Sequence, residues 1–579
     1  MTKHFNVPVF DKRTYLLAII LVPFIVMMPV LMHPHYGLFS DAQQLIVVPR
    51  TVLSGMPGWL TPLLPLSDGR WNPLFHGLSV LIYAIVPESP FPFYVAQLVM
   101  LWVTVLILSH TVYKLNHKYA YAILAIVLYC LSSSFFENYY TLDKVEPRIV
   151  VFSAMLFLFI YKKAEEIERS VHLERPRRAY FLIFFLTCCA IFSKETGVFL
   201  VGASGAVLVL TYVSGPLKIF RRFTLKTFLV QLIALILFSS LFKLLAESNN
   251  SNYTSYSLNA YMIARNVAFY MRSSPELIVS CIVSLAIARW IFKKQFPRIS
   301  KANLYSLMCL VCAFLAYMAG ISLWRWPLEY YLLPAQYFNI AILCCVLPLA
   351  LTYAKQFHRI SRYALVICLV TISTGYVAFR LAGGVAIFAF DEVKDTLAKE
   401  LSKPEYRERR FIVPFDNPGS SEIAQRLEYF INAARKQEDA TSLFNFWELP
   451  SDNRKNLNRF DGSIWWPLPT ADQLASVSKI DEDVVIWSFR PYTQLLNSTV
   501  GTPAQEPHAS WDFSTLRPGD LVLLPTGLKY YEFFKARGLS MHGRTLQGLI
   551  YETKLNLTKI DEVRSGIGLS MNWDIVEVN

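Results

Sequence analysis

Eleven apolar runs of spanning length follow one another along the first two thirds of the chain, near residues 14–32, 92–110, 119–136, 148–161, 179–192, 197–213, 227–246, 276–292, 303–323, 331–353 and 363–387. A helix needs about 20 residues to cross the hydrocarbon core of a bilayer. Inside that core every backbone amide must find its partner within the chain, which leaves only helices or a closed barrel. The runs are too long for barrel strands, so the expectation is a polytopic α-helical membrane domain of about eleven transmembrane helices over residues 1–387.

Charge supports that reading once it is divided. The net charge of +13 over 579 residues would point to nucleic acid on a soluble protein, but residues 1–387 carry 33 Lys/Arg against 15 Asp/Glu and residues 388–579 carry 22 against 27. The basic surplus therefore belongs to the apolar part and reads as a topology signal, with no nucleic-acid partner expected. With 17% charged and 54% hydrophobic residues, the chain is neither an ordinary cytosolic globule nor a disordered protein.

Alternating sides from a cytoplasmic N-terminus places 22 Lys/Arg in six inner segments and eight in five outer loops, as the positive-inside rule requires. The run Tyr15 to Leu31 lacks a small-residue cleavage site and reads as an anchor. Counting Trp71 to Val86 as a further span would invert every later loop, so it is read as a helix lying along the outer interface. Ten of the fifteen acids of the membrane part then fall outside, although acids play little part in the topology rule, so the outer face is where chemistry is expected.

From residue 388 the hydropathy falls and the pattern becomes that of a soluble α/β domain. Strands are expected at Phe411–Phe415, Val484–Phe489, Leu521–Leu524 and Leu546–Tyr551, and helices at Ser421–Arg435 and Lys529–Arg537. The domain carries no Gly-rich phosphate loop, HExxH or GxSxG, which favours binding or support over catalysis. All nine cysteines lie in the apolar segments, and the CxxC of Cys309 and Cys312 reads as small-residue packing within a helix. Sequons at Asn249, Asn252, Asn497 and Asn556 matter only if the outer side is a eukaryotic lumen.

The outer loops hold the candidate site residues. In the first, Asp41 follows the first helix, where a raised basicity suits a general base, and Asp68-Gly69-Arg70 with Pro73 presents an arginine at a helix start. A solvated acid and a headgroup anchor are the ordinary alternatives. In the second loop, Asp143 and Glu146 stand three apart before Pro147, placed to hold a sugar's hydroxyls or a divalent cation such as Mg or Mn. The third loop, Ser193-Lys194-Glu195-Thr196-Gly197, is short enough that an ionisable pair there points to function, with Lys194 suited to a phosphate and Glu195 orienting it. In the fifth, Arg325 stands between Trp324 and Trp326 ahead of Glu329, either as an interfacial belt or to bind a lipid phosphate.

This order of motifs resembles the GT-C superfamily of integral-membrane glycosyltransferases. Asp41, the turn from Arg70 to Pro73, the pair Asp143 and Glu146, and the Lys194-Glu195 pair carry the likeness, which covers residues 1 to about 390. Families related to protein mannosyltransferases and to the aminoarabinose transferase of lipid A usually place a second acid or a lysine beside the first-loop acid. Here Asp41 is followed by Ala42-Gln43-Gln44, so no particular family is assigned. The resemblance implies an inverting transfer of one sugar from a polyprenyl-phosphate donor to an acceptor hydroxyl on a glycan, lipid or protein. It further implies a bacterial inner membrane, with active site and C-terminal domain on the periplasmic side. Asp41 would then be the base, Lys194, Arg325 and Arg70 would hold the donor phosphate, and Asp143, Glu146, Glu195, Asp68 and Glu329 would position sugar or metal. A lipid-linked glycan polymerase or ligase, a transporter and a non-enzymatic scaffold are the alternatives.

Overall fold

In the computed structural model the described residues are 10–35, 44–55, 63, 71–87, 89–142, 144–170, 176–245, 260–282, 284, 300–324, 329–354, scattered positions between 377 and 409, and 411–415, 484–488, 518–525, 556–564 and 572–579. They belong to two compact units, Met1–Met32 with Leu45–Gly384 and His33–Gln44 with Val385–Asn579. This division differs from a cut at 387/388 chiefly in grouping residues 33–44 with the C-terminal part.

The first unit is helical: α1 (Lys12–Met32), α2 (Gln44–Ser54), α3 (Pro73–Ile85), α4 (Phe91–Asn116), α5 (Tyr119–Cys130), α6 (Phe135–Tyr140), α7 (Glu146–Ser170), α8 (Pro176–Ser193), α9 (Phe199–Val213), α10 (Arg221–Leu245), α11 (Ala260–Ser273), α12 (Lys301–Ser322) and α13 (Leu333–Ala354). Among the described residues seven helical stretches are long and apolar enough to cross a membrane, in place of the eleven expected. Part of the difference lies outside the described residues, where most of 363–387 and the end of 276–292 fall. Part is physical. The run expected at 119–136 breaks at Leu131–Ser134, because Ser132 Oγ and Ser132 N both bond to the Tyr129 carbonyl, at 2.9 and 3.2 Å, and end the helix there. At 13 residues α3 is too short to span, in keeping with a helix that does not cross.

Proline explains several contacts between these helices. A proline within a helix frees carbonyls in the preceding turn, and in an apolar medium a neighbouring side chain must take them. Pro348 of α13 frees the Cys344 carbonyl, and Asn116 Nδ2 at the end of α4 donates to it at 2.8 Å. In α1 the carbonyls three residues before Pro23 and Pro29, Ile20 and Val26, accept from Trp102 Nε1 at 3.2 Å and from Tyr140 Oη at 2.6 Å. At Gly320 a Cβ would lie 2.2 Å from the Phe199 ring, so α9 and α12 approach each other only because that residue has none.

Large apolar side chains remain exposed on the outer helices, among them Leu17, Ile20, Phe24 and Ile25 of α1 and Ile233 and Ile236 of α10. α12 and α13 are the most enclosed. Such belts are intolerable in water and ordinary against lipid tails, which makes the chain a multi-pass membrane protein.

The second unit contains a five-stranded sheet: β1 (Phe411–Phe415), β2 (Val484–Ser488), β3 (Leu521–Pro525), β4 (Leu557–Arg564) and β5 (Asn572–Val578), in the order β2-β1-β3-β5-β4. β1 runs parallel to both β2 and β3, and β5 is antiparallel to both β3 and β4. Three of the four expected strands are present. Leu546–Tyr551, Ser421–Arg435 and Lys529–Arg537 lie outside the described residues. The left-handed Gly519 (φ +92°) turns the chain into β3, where Arg409 Nη1 donates to its carbonyl at 2.8 Å and pairs with Glu577 at 2.7 Å. Also in this unit, His33 and His35 pack edge-on against Phe388.

Candidate active site

α8 ends at Ser193, and Lys194 takes an extended conformation (φ −165°, ψ 147°) before a 3-10 turn over Glu195–Val198 leads into α9. The turn lies tightly against α8, since a Cβ on Gly197 would be 2.6 Å from the Ala190 carbonyl. This places the Lys194 side chain inside the protein, 9% exposed, where an ammonium needs a partner.

Its partner comes from 48 positions earlier. Glu146, in the first turn of α7 and 1% exposed, receives Lys194 Nζ on Oε1 at 2.5 Å, while its Oε2 accepts from Val145 N at 3.1 Å. Burial works against the Lys194 charge, but Glu146, helped by Tyr331 and Glu195, outweighs it and holds the ammonium above its ordinary pKa. Lys194 is therefore a cation throughout the neutral range.

Aromatic rings complete the enclosure. Lys194 Nζ lies 4.4 Å from the centroid of Tyr331 and 5.3 Å from that of Tyr330, and Lys144 Nζ lies over the Tyr330 ring at 4.4 Å. The two tyrosines lie in the middle of the 3-10 turn Glu329–Leu332 leading to α13, and the Tyr330 carbonyl accepts from Asn138 Nδ2 at 3.0 Å. The second, third and fifth expected outer loops thus meet at one point. Just beyond the first-loop turn, Trp71 stacks on Phe238 at 5.4 Å and meets Phe192 edge-on at 5.3 Å, which anchors that segment to α8 and α10.

Of the expected site residues, the structure brings Lys194 and Glu146 into contact. Glu195 does not serve as the direct partner of Lys194: its influence is a longer-range one, and its buried Oε2 has no hydrogen-bond partner. The reason is geometric, because the 3-10 turn carries the neighbouring side chain elsewhere while α7 delivers Glu146 directly. Glu329 starts a 3-10 turn. Asp41, Asp68, Arg70, Asp143 and Arg325 lie outside the described residues. Sequence reasoning missed Tyr330 and Tyr331 as ring partners of Lys194, and it did not single out Arg148. As for a divalent cation, both Glu146 oxygens are already engaged, so this carboxylate does not fit a metal-ligand role. Among the described residues no three His, Cys, Asp or Glu are grouped to hold one.

The turn's tightness gives a first expectation. Gly197→Ala should cost roughly 1–3 kcal/mol of stability through overpacking against backbone and should lower any Lys194-dependent activity with it. Melting of the purified variant followed by size-exclusion elution measures this, and an unchanged midpoint would mean that the turn does not rest on α8.

A multi-pass helical membrane protein with a buried Lys–Glu pair beneath two tyrosines, joined to an α/β unit, is the class these features define. No family model matches the chain, and no curated protein does so significantly. Among solved structures it is similar to ArnT from Cupriavidus metallidurans bound to undecaprenyl phosphate, with a TM-score of 0.44 and 12% identity over 98% of each chain. It is also similar to the Archaeoglobus fulgidus oligosaccharyltransferase tethered with an acceptor peptide containing the NVT sequon, with a TM-score of 0.42 and 12% identity over 73% of this chain and 63% of that one.

Proposed function

We propose that the chain is a membrane glycosyltransferase of the GT-C kind, which moves one sugar from a polyprenyl-phosphate donor to an acceptor hydroxyl on the periplasmic face of a bacterial inner membrane. The observation that carries the reading is Lys194: a buried ammonium kept charged by Glu146 and walled by Tyr330 and Tyr331, at the meeting point of three loops expected on one side.

The chemistry follows from that charge. The acceptor oxygen attacks the anomeric carbon and gives its proton to a carboxylate, for which Asp41 is the candidate. The bond from the anomeric carbon to the phosphate oxygen breaks, its electron pair stays on that oxygen, and polyprenyl phosphate leaves with inversion at the sugar. Charge grows on the phosphate only as that bond breaks, so a fixed cation beside it stabilises the transition state more than the bound donor. Arg70 and Arg325 are proposed as further phosphate ligands, Asp143, Asp68 and Glu329 as sugar ligands, and Glu146 as the group that positions Lys194. No step requires a metal ion.

The test uses purified full-length protein in liposomes supplied with undecaprenyl-phosphate sugars and a cell-envelope extract as acceptor. Release of undecaprenyl phosphate, with the sugar transferred in the opposite anomeric configuration, is the expected result. Consumption of diphosphate-linked oligosaccharides while the monophosphate donors stay intact would instead make the protein a polymerase or ligase.

A further inference from the structure

Arg148 is a buried charge without an acidic partner. It lies in the first turn of α7, two residues beyond Glu146, and is 4% exposed. Its guanidinium stands over the Phe75 ring at 4.4 Å, Nη1 donates to the Lys144 carbonyl at 3.3 Å, and Nε has no hydrogen-bond partner. Among the described residues no carboxylate pairs with it. The acid two positions away, Glu146, is committed to Lys194 and to the Val145 amide.

A desolvated guanidinium with one long hydrogen bond and an idle N–H is costly to keep, and a chain using it only for packing would pair it or replace it with an apolar residue. A ring face offsets part of the cost but leaves Nε of the planar donor fork without an acceptor, and that fork matches the oxygens of a phosphate. Its surroundings point the same way. Lys144 Nζ and Lys194 Nζ share the ring of Tyr330, Lys144 supplies the carbonyl that Arg148 bonds, and Glu146 links Lys194 to the turn carrying Arg148. With Lys194 balanced by Glu146, the Arg148 charge stays uncompensated by an ion pair.

We infer that Arg148 binds the lipid phosphate and discriminates by charge, taking the departing polyprenyl phosphate, a monoester, in preference to the sugar-bearing diester. This rests on the glycosyltransferase reading of the same site. The diester carries one negative charge. When the bond to the anomeric carbon breaks, its electron pair adds a second to the phosphate, and a monoester holds about −1.5 to −2 at neutral pH. An unpaired cation in a dry setting rewards that added charge, so Arg148 acts late in the reaction and retains the lipid product.

Two short-chain lipids that differ by one charge isolate this effect: farnesyl phosphate and its methyl ester, titrated against the full-length protein in nanodiscs by calorimetry. The wild type should prefer the monoester by about tenfold or more, as expected for one extra charge near an unscreened cation. Arg148→Gln should reduce the preference to about twofold or less, weakening the monoester clearly more than the methyl ester, whose single charge gains less from the same cation. Arg148→Lys, which keeps the charge but loses the fork, should fall between them, and it decides the matter if the glutamine variant does not elute as a folded species. A glutamine or lysine variant with the full wild-type preference overturns the role of Arg148. Equal binding of both esters by the wild type overturns the discrimination but leaves the transferase reading standing. Failure of the wild type to bind either lipid removes both.

Discussion

Lys194→Ala is expected to lose sugar transfer by about two to three orders of magnitude, the range for removing a fixed donor from a developing charge in a water-excluded site. It should also lose stability, because Glu146 would be left 1% exposed with only the Val145 amide as a partner. Breaking a buried pair from one side costs roughly 3–5 kcal/mol, whereas removing both charges is often close to neutral. The informative comparison is therefore with the double variant Lys194→Met/Glu146→Gln. It should regain most of the melting temperature and little of the turnover, since the buried pair is gone but the phosphate has lost the Lys194 ammonium. Recovery of both properties in the double variant would make the pair a structural clamp and move phosphate binding to other residues.

Asp41→Asn is the second large expected effect. Asparagine keeps the size and most of the hydrogen bonding of the carboxylate but cannot accept a proton. Turnover should fall by roughly two to four orders of magnitude with donor affinity nearly unchanged. That pattern separates a base from a phosphate ligand, whose loss weakens the lipid complex as well. An Asp41→Asn enzyme with normal turnover would transfer the role to another acid of the outer loops, and Asp143 and Glu195 would be tried next.

The two ends of this site were unequally legible in the sequence. Lys194 could be found from the chain because an ionisable residue between two apolar runs has few cheap explanations. Its partner could not, because the contact between α7 and α8 that brings Glu146 to it has no local spacing. Tyr330 and Tyr331 simply follow the Trp324–Trp326 stretch that reads as an interfacial belt, and only the turn into α13 aims them at the ammonium. In the soluble unit, β1, β2 and β3 were readable as short apolar runs. β4 and β5 were missed because their sequences, Leu-Thr-Lys-Ile-Asp-Glu-Val-Arg and Asn-Trp-Asp-Ile-Val-Glu-Val, are laced with charge. The structure resolves those charges by pairing, with Lys559 reaching Asp574 of β5 at 2.7 Å across the strands and Glu562 of its own strand at 2.9 Å. A register shift between Lys559 and Asp561 further breaks the period-two pattern that would have marked β4.

The order of the strands has a consequence for how the protein is made. β5, the last of the five in the chain, lies inside the sheet between β3 and β4. While a ribosome is still translating residues 526–571, β3 has a bare edge, with Leu521 and Leu523, both wholly enclosed in the finished fold, beside it. An open apolar edge is an invitation to pair with the wrong strand. The helices can enter the bilayer one after another as they emerge, but the sheet has to wait for residues 572–578. The nascent chain therefore carries a half-built sheet until residues 572–578 have emerged, the interval in which a holding chaperone would matter most to its yield.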